Sequence, residues 1–357
     1  MTMPVSETAM AAGIAVASPA AALLTRNGLA GTEPVPLAGD ASARRYYRLE
    51  GHGLLLMEDT SDPAGFSAYL RLSEHLNALG LSAPRVIDAD PAAGLALVED
   101  FGNNTYAVCL SEGHDEHALY RLAVDALLYL HHDHRGDHVS QPLYDLDVYL
   151  DELDIFADWF APAVARQNFG RTGFKMHFRS LWAEALEPVS ERFDTLVLRD
   201  FHVDNLMLLE NRQGAARCGI LDFQDGVLGP CEYDLVSLLQ DARRDLGAGL
   251  EEMLLAHYAA NAPARLGSMQ EIRQRYALLG AQRHARILGV FVRLCQRDGK
   301  ERYLAFMPRV LRQFKTALGD AGLGRVACFL DEELPGWRDG VPAGASAGKP
   351  MNGVSDV

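Results

Sequence analysis

The sequence contains no run of about 18 uncharged apolar residues, which excludes a transmembrane helix. Its alanine-rich stretch 9–24 follows Glu7 and has no lysine or arginine before Arg26, so the basic region of a secretory signal is missing. A cytoplasmic location is expected, with residues 1–24 a lead-in that is either a frayed helix or disordered. Cysteine is sparse: Cys109, Cys218, Cys231, Cys295 and Cys328 are scattered without a CxxC pair, which argues against a disulfide framework and a zinc site. Positive charge is in deficit. The formal net charge of −15 disfavours a nucleic acid partner, although local basic groups and a metal can still bind a nucleoside triphosphate. Between residues 30 and 100 there is no lysine at all, so phosphate contacts in that segment fall to arginine.

What is present is enough for a substantial core. At 357 residues and 48% apolar composition, two globular parts are expected. Short apolar runs at 35–37, 46–49, 54–57, 85–87 and 95–98 are separated by Gly- and Asp-rich turns and read as strands. The helical spacing of 66–79 inserts one helix among them. From residue 118 the period changes to 3.6, and helices are expected at 118–132, 146–160, 174–192, 233–246, 250–260 and 272–295. The tail has the composition of a disordered segment. The layout is a lead-in (1–24), a small antiparallel-sheet lobe with one helix (25–100), a helical lobe (101–338) and a tail (339–357).

One sheet-like island interrupts the helical part. Leu196–Leu198 and Leu206–Leu209 flank a polar knot, Arg199-Asp200-Phe201-His202-Val203-Asp204-Asn205, and a further strand, 217–221, ends at Asp222. A hairpin pairing Leu206 with Leu221 and Leu209 with Cys218 sets Asn205 opposite Asp222, roughly 4.5–5.5 Å apart at Cα. An amide oxygen facing a carboxylate suits Mg²⁺, which prefers hard oxygen ligands and leaves positions for water and phosphate. Asp200 is then free to accept a proton from an attacking hydroxyl. Metal, in-line positioning and a base are the requirements of phosphoryl transfer.

The knot resembles a known loop. Its Asp-to-Asn spacing is that of the protein-kinase catalytic loop, and Leu221-Asp222-Phe223 stands where the metal-binding Asp-Phe-Gly would, with glutamine following in place of glycine. Asp200, His202 and Asn205 coincide with the Asp, His and Asn of the aminoglycoside and choline kinase-like loop H-G-D-x-H-x-x-N. The segments GDASARRYYRL (39–49), LVEDFG (97–102), LRDFHVDNLM (198–207) and GILDFQDGVLGPCEYDLVSLLQDARRD (219–245) together resemble bacterial N-acetylmuramate/N-acetylglucosamine kinases over about residues 25–335. The resemblance implies an α+β, two-lobed protein-kinase-like fold. It also implies ATP-dependent phosphorylation of the anomeric hydroxyl of an amino sugar, with ATP and Mg²⁺ as cofactors, in peptidoglycan recycling. Two other readings stay open: a kinase for another small alcohol, of aminoglycoside or choline type, and a regulatory nucleotide-binding pseudokinase.

Residue roles follow from this. Asp200 is the expected base, and Asn205 and Asp222 the metal ligands. No lysine stands at the end of the third strand, so Ser42 and one of Arg44 and Arg45 are expected at the triphosphate. Glu99 and Phe101 are expected at the adenine, which kinase-like folds hold through backbone groups at the lobe junction. His202 either braces the loop or touches the substrate; Asp204 either bonds a sugar hydroxyl or turns the chain. Arg243 is either a contact for an acidic substrate group or part of a surface ion-pair network. Asp234 is expected to cap its helix or steady the loop. The tract His131–His134 reads as a polar helix terminus rather than a metal site.

Overall fold

The computed structural model describes residues 18–37, 44–165 and 169–340. They divide into two compact units, residues up to 67 with 85–102, and residues 68–84 with 103 onward. Ser42 and the expected tail beyond residue 340 lie outside the described residues.

The smaller unit begins with α1 (Pro19–Arg26). Ser18 caps it, its hydroxyl accepting from Ala21 N–H at 3.2 Å, and Pro19 fills the first-turn position where a missing N–H costs nothing. This helix lies partly within the stretch read from sequence as a lead-in. It is ordered by packing: Leu23, Leu24 and Leu29 share a core with Leu49, Leu56, Leu95 and Leu97. Those last four belong to a five-stranded antiparallel sheet of β1 (Val35–Pro36), β2 (Arg45–Leu49), β3 (Leu54–Glu58), β4 (Val86–Asp90) and β5 (Leu95–Glu99), in the order β1-β2-β3-β5-β4. Arg26 clasps Asp88 at 2.5 and 2.9 Å and ties α1 to β4.

The helix expected in the small lobe is α2 (Pro63–Ala78). From residue 68 onward it clusters with the larger unit, which differs from the sequence-based boundary. The physical reason is side-chain contact: Tyr69 stacks on Phe223 with centroids 4.9 Å apart, and Ser82 Oγ donates to Ala216 O at 2.6 Å.

The larger unit continues with α3 (Tyr106–Ser111), α4 (Glu116–His132), α5 (Leu146–Ile155), a π-helical turn (Phe156–Phe160), α6 (Ala161–Val164) and α7 (Arg171–Leu186). Four short strands follow, β6 (Thr195–Val197), β7 (Leu206–Leu208), β8 (Cys218–Ile220) and β9 (Val227–Gly229). Then come α8 (Glu232–Leu239), α9 (Leu250–Asn261), α10 (Met269–Gln296), α11 (Met307–Asp320) and α12 (Gly324–Glu333). The central α10 starts at a reciprocal capping box between Ser268 and Glu271. It packs against α11, α8 and the π turn. Helix α8 stops at Leu239, not at 246 as the periodicity suggests. There the Asp241 carboxylate accepts from Arg243 N–H at 3.1 Å and turns the chain. Helices α11 and α12 were not among the expected elements, although Val310, Leu311, Phe314, Ala317 and Leu318 carry the spacing of a buried face. Among the described residues no helix is long and apolar enough to cross a membrane.

Candidate active site

The polar knot is placed by buried strands on either side. Strand β6 is fully buried and pairs antiparallel with β9, Leu196 opposite Leu228. At its end the chain makes a tight reversal: Asp200 N–H donates to Leu198 O at 2.8 Å, and Arg199 between them has φ +68°. A positive φ in a three-residue turn is a strained form that persists only where its surroundings over-determine it. They do so here. The Asp234 carboxylate on α8 accepts from Leu198 N–H at 2.6 Å and Arg199 N–H at 2.8 Å. Ser237 Oγ, one turn along the same helix, donates to Arg199 O at 3.0 Å. Burial pushes the Asp234 carboxyl up to about 7, against the opposing pull of those two N–H groups. Asp234 therefore steadies the loop rather than capping α8.

The hairpin β7–β8 differs from the expected register by one residue. Leu206 opposes Ile220 and Leu208 opposes Cys218, so Asn205 opposes Leu221, whose N–H donates to Asn205 O at 2.9 Å. The short 3-10 turn Gly214–Arg217 takes up Arg217, which the sequence reading had given to the strand. Asp222 is nevertheless brought beside Asn205, because its φ of +57° bends the chain. Asn205 Nδ2 lies 3.4 Å from Asp222 Oδ2 and donates to Asp200 O at 3.0 Å. Asp200, Asn205 and Asp222 are thus assembled in one place, with Asp222 exposed.

Burial by itself would raise the Asp200 carboxyl. The positive charges of Arg283, Arg286 and Arg199 outweigh it and hold the group below its ordinary value. Arg283 is buried and donates to Tyr233 OH at 3.2 Å and Ser237 Oγ at 2.8 Å. Arg199 reaches back to Glu152 on α5, and the Glu152 carboxylate also accepts from Tyr144 OH at 2.5 Å and Gln282 Nε2 at 3.2 Å. None of Glu152, Ser237, Arg283 and Arg286 stood out in the sequence. The available signal was Gln282, Arg283 and His284 as consecutive polar residues within the apolar periodicity of α10, all three buried.

His202 is buried, and burial lowers its pKa, so the ring is neutral at pH 7. Its Nε2 lies 3.4 Å from Asn205 Nδ2, and its Nδ1 is 4.0 Å from Asp204 Oδ2. Arg243 Nε stands 3.6 Å from the same Asp204 oxygen. The three residues singled out as substrate contacts therefore form one cluster. The His131–His134 tract is tied into the fold: His131 Nδ1 is 2.8 Å from Tyr258 OH, and His132 Nε2 is 2.7 Å from Asn261 O.

In the sheet unit, Arg44 turns inward and pairs with Asp59 at 3.0 Å, whereas Arg45 is exposed on β2. Arg48 clasps Asp100 at 2.6 and 3.0 Å. Glu99 ends β5, where its side chain accepts from Arg85 N–H at 3.4 Å; Phe101 follows it, half-buried.

A five-stranded antiparallel sheet unit and a helical unit carrying a strained Asp–Asn loop beside a second aspartate define a protein-kinase-like phosphotransferase. The chain belongs to the phosphotransferase enzyme family (APH), whose family model matches residues 33–271. It is 35% identical over 351 residues to the N-acetylmuramate/N-acetylglucosamine kinase of Caulobacter vibrioides, covering 88% of this chain and 96% of that protein. The kinase of the same name from Neisseria meningitidis serogroup B is 32% identical over 78% of this chain and 83% of its own length. Among solved structures, a choline/ethanolamine kinase family protein from Mesorhizobium loti matches with a TM-score of 0.58 at 16% identity, covering 88% of this chain and 98% of that one. A putative aminoglycoside phosphotransferase from Ralstonia eutropha matches with a TM-score of 0.57 at 14% identity, over 85% and 97% of the two chains. At these identities the structural matches speak for the fold, which is the α+β kinase-like fold expected from the sequence.

Proposed function

We propose that the chain transfers the γ-phosphoryl group of ATP to the anomeric hydroxyl of N-acetylmuramate and N-acetylglucosamine, giving the sugar 1-phosphate. The observation that carries the chemistry is the loop geometry: Asp200, held ionised by surrounding arginines, lies beside the Asn205–Asp222 pair. The acceptor is taken from the relatives that match along most of both chains and carry that name. In the transfer the sugar oxygen forms a bond to phosphorus, the bond from phosphorus to the ADP oxygen breaks, and the hydroxyl proton passes to Asp200.

With the Asn205 amide turned to present its oxygen where Nδ2 now faces Asp222, the two side chains would offer the hard oxygen donors that Mg²⁺ prefers. Bound there, the ion would neutralise charge on the phosphates. Among the described residues no group of three or more His, Cys, Asp or Glu side chains could hold a metal, which fits a site completed by phosphate and water. In the sheet unit, Arg45 is the better of the two assigned arginines for the triphosphate, because Arg44 is already committed to Asp59. Ser42 keeps the same assignment, and Glu99 with Phe101 that at the adenine. His202 braces the loop through its contact with Asn205, while Asp204 and Arg243 face the acceptor. The product is the form in which salvaged cell-wall sugars would re-enter biosynthesis in the cytoplasm.

The test is incubation with ATP, Mg²⁺ and a panel of amino sugars, aminoglycosides and choline, with phosphorus NMR to locate the new ester. An anomeric phosphate on the amino sugars is expected. Asp200→Asn should retain nucleotide binding and lose about 10²–10⁴ in kcat. Near-normal turnover in that variant removes Asp200 from the base role, and ADP release dependent on choline or an aminoglycoside replaces the acceptor.

A further inference from the structure

Helix α10 carries Arg283, Arg286 and Arg293 on one side. At about 100° per residue these positions fall within roughly 80° of arc, so the three guanidinium groups share a face. Each meets a different environment. Arg283 is held by Tyr233 and Ser237. Arg286 approaches Glu152 Oε1 with its Nε at 3.4 Å, but that oxygen already receives Arg199. The other Glu152 oxygen is taken by Tyr144 and Gln282. Arg293 makes no ion pair among the described residues, and its Nε is buried without a hydrogen-bond partner.

The charge along this face is uneven. Against the pull of burial, Glu152, Tyr233, Tyr144 and Asp200 raise the Arg286 pKa, whereas no carboxylate pairs with Arg293 among the described residues. Burial and the nearby charges of Arg297 and Arg286 lower the Arg293 pKa, and Asp298 offsets them only in part, so this cation lacks a paired anion. An ion-pair network built only to hold the fold would supply that anion, because buried unpaired charge is costly. Yet Arg286 retains 24% side-chain exposure, so the face is open to a solute.

We propose that Arg286 and Arg293 receive the carboxylate of an acidic sugar acceptor and set the preference between N-acetylmuramate and N-acetylglucosamine. The inference rests on the sugar-kinase reading above. The two sugars differ at ring carbon C3, where the first carries a lactyl ether ending in a carboxylate and the second a hydroxyl. That substituent lies two ring carbons from the anomeric hydroxyl at C1. With the anomeric oxygen at Asp200, the carboxylate is directed toward the neighbouring arginines. A planar guanidinium that is partly shielded from water is the group best suited to hold it.

The experiment measures kcat and KM for both sugars with wild type, Arg293→Gln, Arg293→Lys and Arg286→Lys, each checked for a wild-type melting profile. For Arg293→Gln, the ratio of kcat/KM for N-acetylmuramate to that for N-acetylglucosamine is expected to fall about tenfold to a hundredfold, mainly through KM. Arg293→Lys keeps the charge and should recover most of the ratio; Arg286→Lys loses the planar fork and should recover less. A ratio unchanged in Arg293→Gln, or equal losses on both sugars, overturns the inference and leaves the kinase reading standing. A wild-type chain that phosphorylates neither sugar overturns both.

Discussion

Replacing Asp234 by alanine should uncouple the Asp200 loop from its support. In the native chain its carboxylate is fully buried and accepts two backbone N–H groups, from Leu198 at 2.6 Å and Arg199 at 2.8 Å. If the loop keeps its shape in Asp234→Ala, both donors lose their partner, at about 1–3 kcal/mol each, or about 2–6 kcal/mol together. If the loop relaxes instead, Arg199 gives up its φ of +68° and recovers about 1–3 kcal/mol of strain. The net loss of stability is then smaller, but Asp200 moves. A displacement of about 1 Å is enough to lower turnover about a hundredfold. The two outcomes are separable by urea unfolding together with steady-state kinetics on the amino sugars. Asp234→Asn keeps one acceptor oxygen and should fall between wild type and alanine in both measurements. An alanine variant with wild-type kcat and a stability change under about 1 kcal/mol would refute the claim that this carboxylate holds the turn.

Gly289 on α10 faces the start of the π turn, where an added Cβ would sit 2.4 Å from Ile155 O and 2.7 Å from Phe156 N. Both neighbours are backbone, so Gly289→Ala should cost about 2–3 kcal/mol in urea unfolding; an unchanged midpoint would show that α5 can yield there. His284 is fully buried, and burial followed by the Arg283 charge depresses its pKa to about 3. The unfolded chain therefore binds the extra proton between that value and about 6.5, and stability is lost as pH falls through that window. The contribution is about 1.4 kcal/mol between about pH 7.5 and about pH 5.5. Unfolding at both pH values should show His284→Gln losing that much less than wild type, and equal losses would contradict the assignment.

The fold class and the gathering of Asp200, Asn205 and Asp222 were legible in the sequence because they depend on local spacing. Asp200 and Asn205 are five residues apart on one loop, and Asp222 ends the next strand, so a hairpin of any nearby register brings them together. The register itself was not legible. It turned on the Gly214–Arg217 turn, which shortens β8 at one end and shifts every partner by one. Strand β9, which backs β6, has only three residues and no pattern of its own. Arg44 and Arg45 were equivalent candidates by alternation until Asp59, fourteen residues beyond the latter, claimed one of them.

The amino-acid sequence by itself determined the two-lobed α+β architecture, the phosphotransferase class and which polar residues meet at the Asp200 loop. These follow from periodicity and from residue types at short separations. Only the tertiary structure decided what surrounds Asp200. Glu152 lies on α5, Asp234 and Ser237 on α8, and Arg283 and Arg286 on α10, separated by scores of residues in the chain. Electrostatic fields and backbone support depend on distance in space, and packing α5, α8 and α10 against the loop sets those distances.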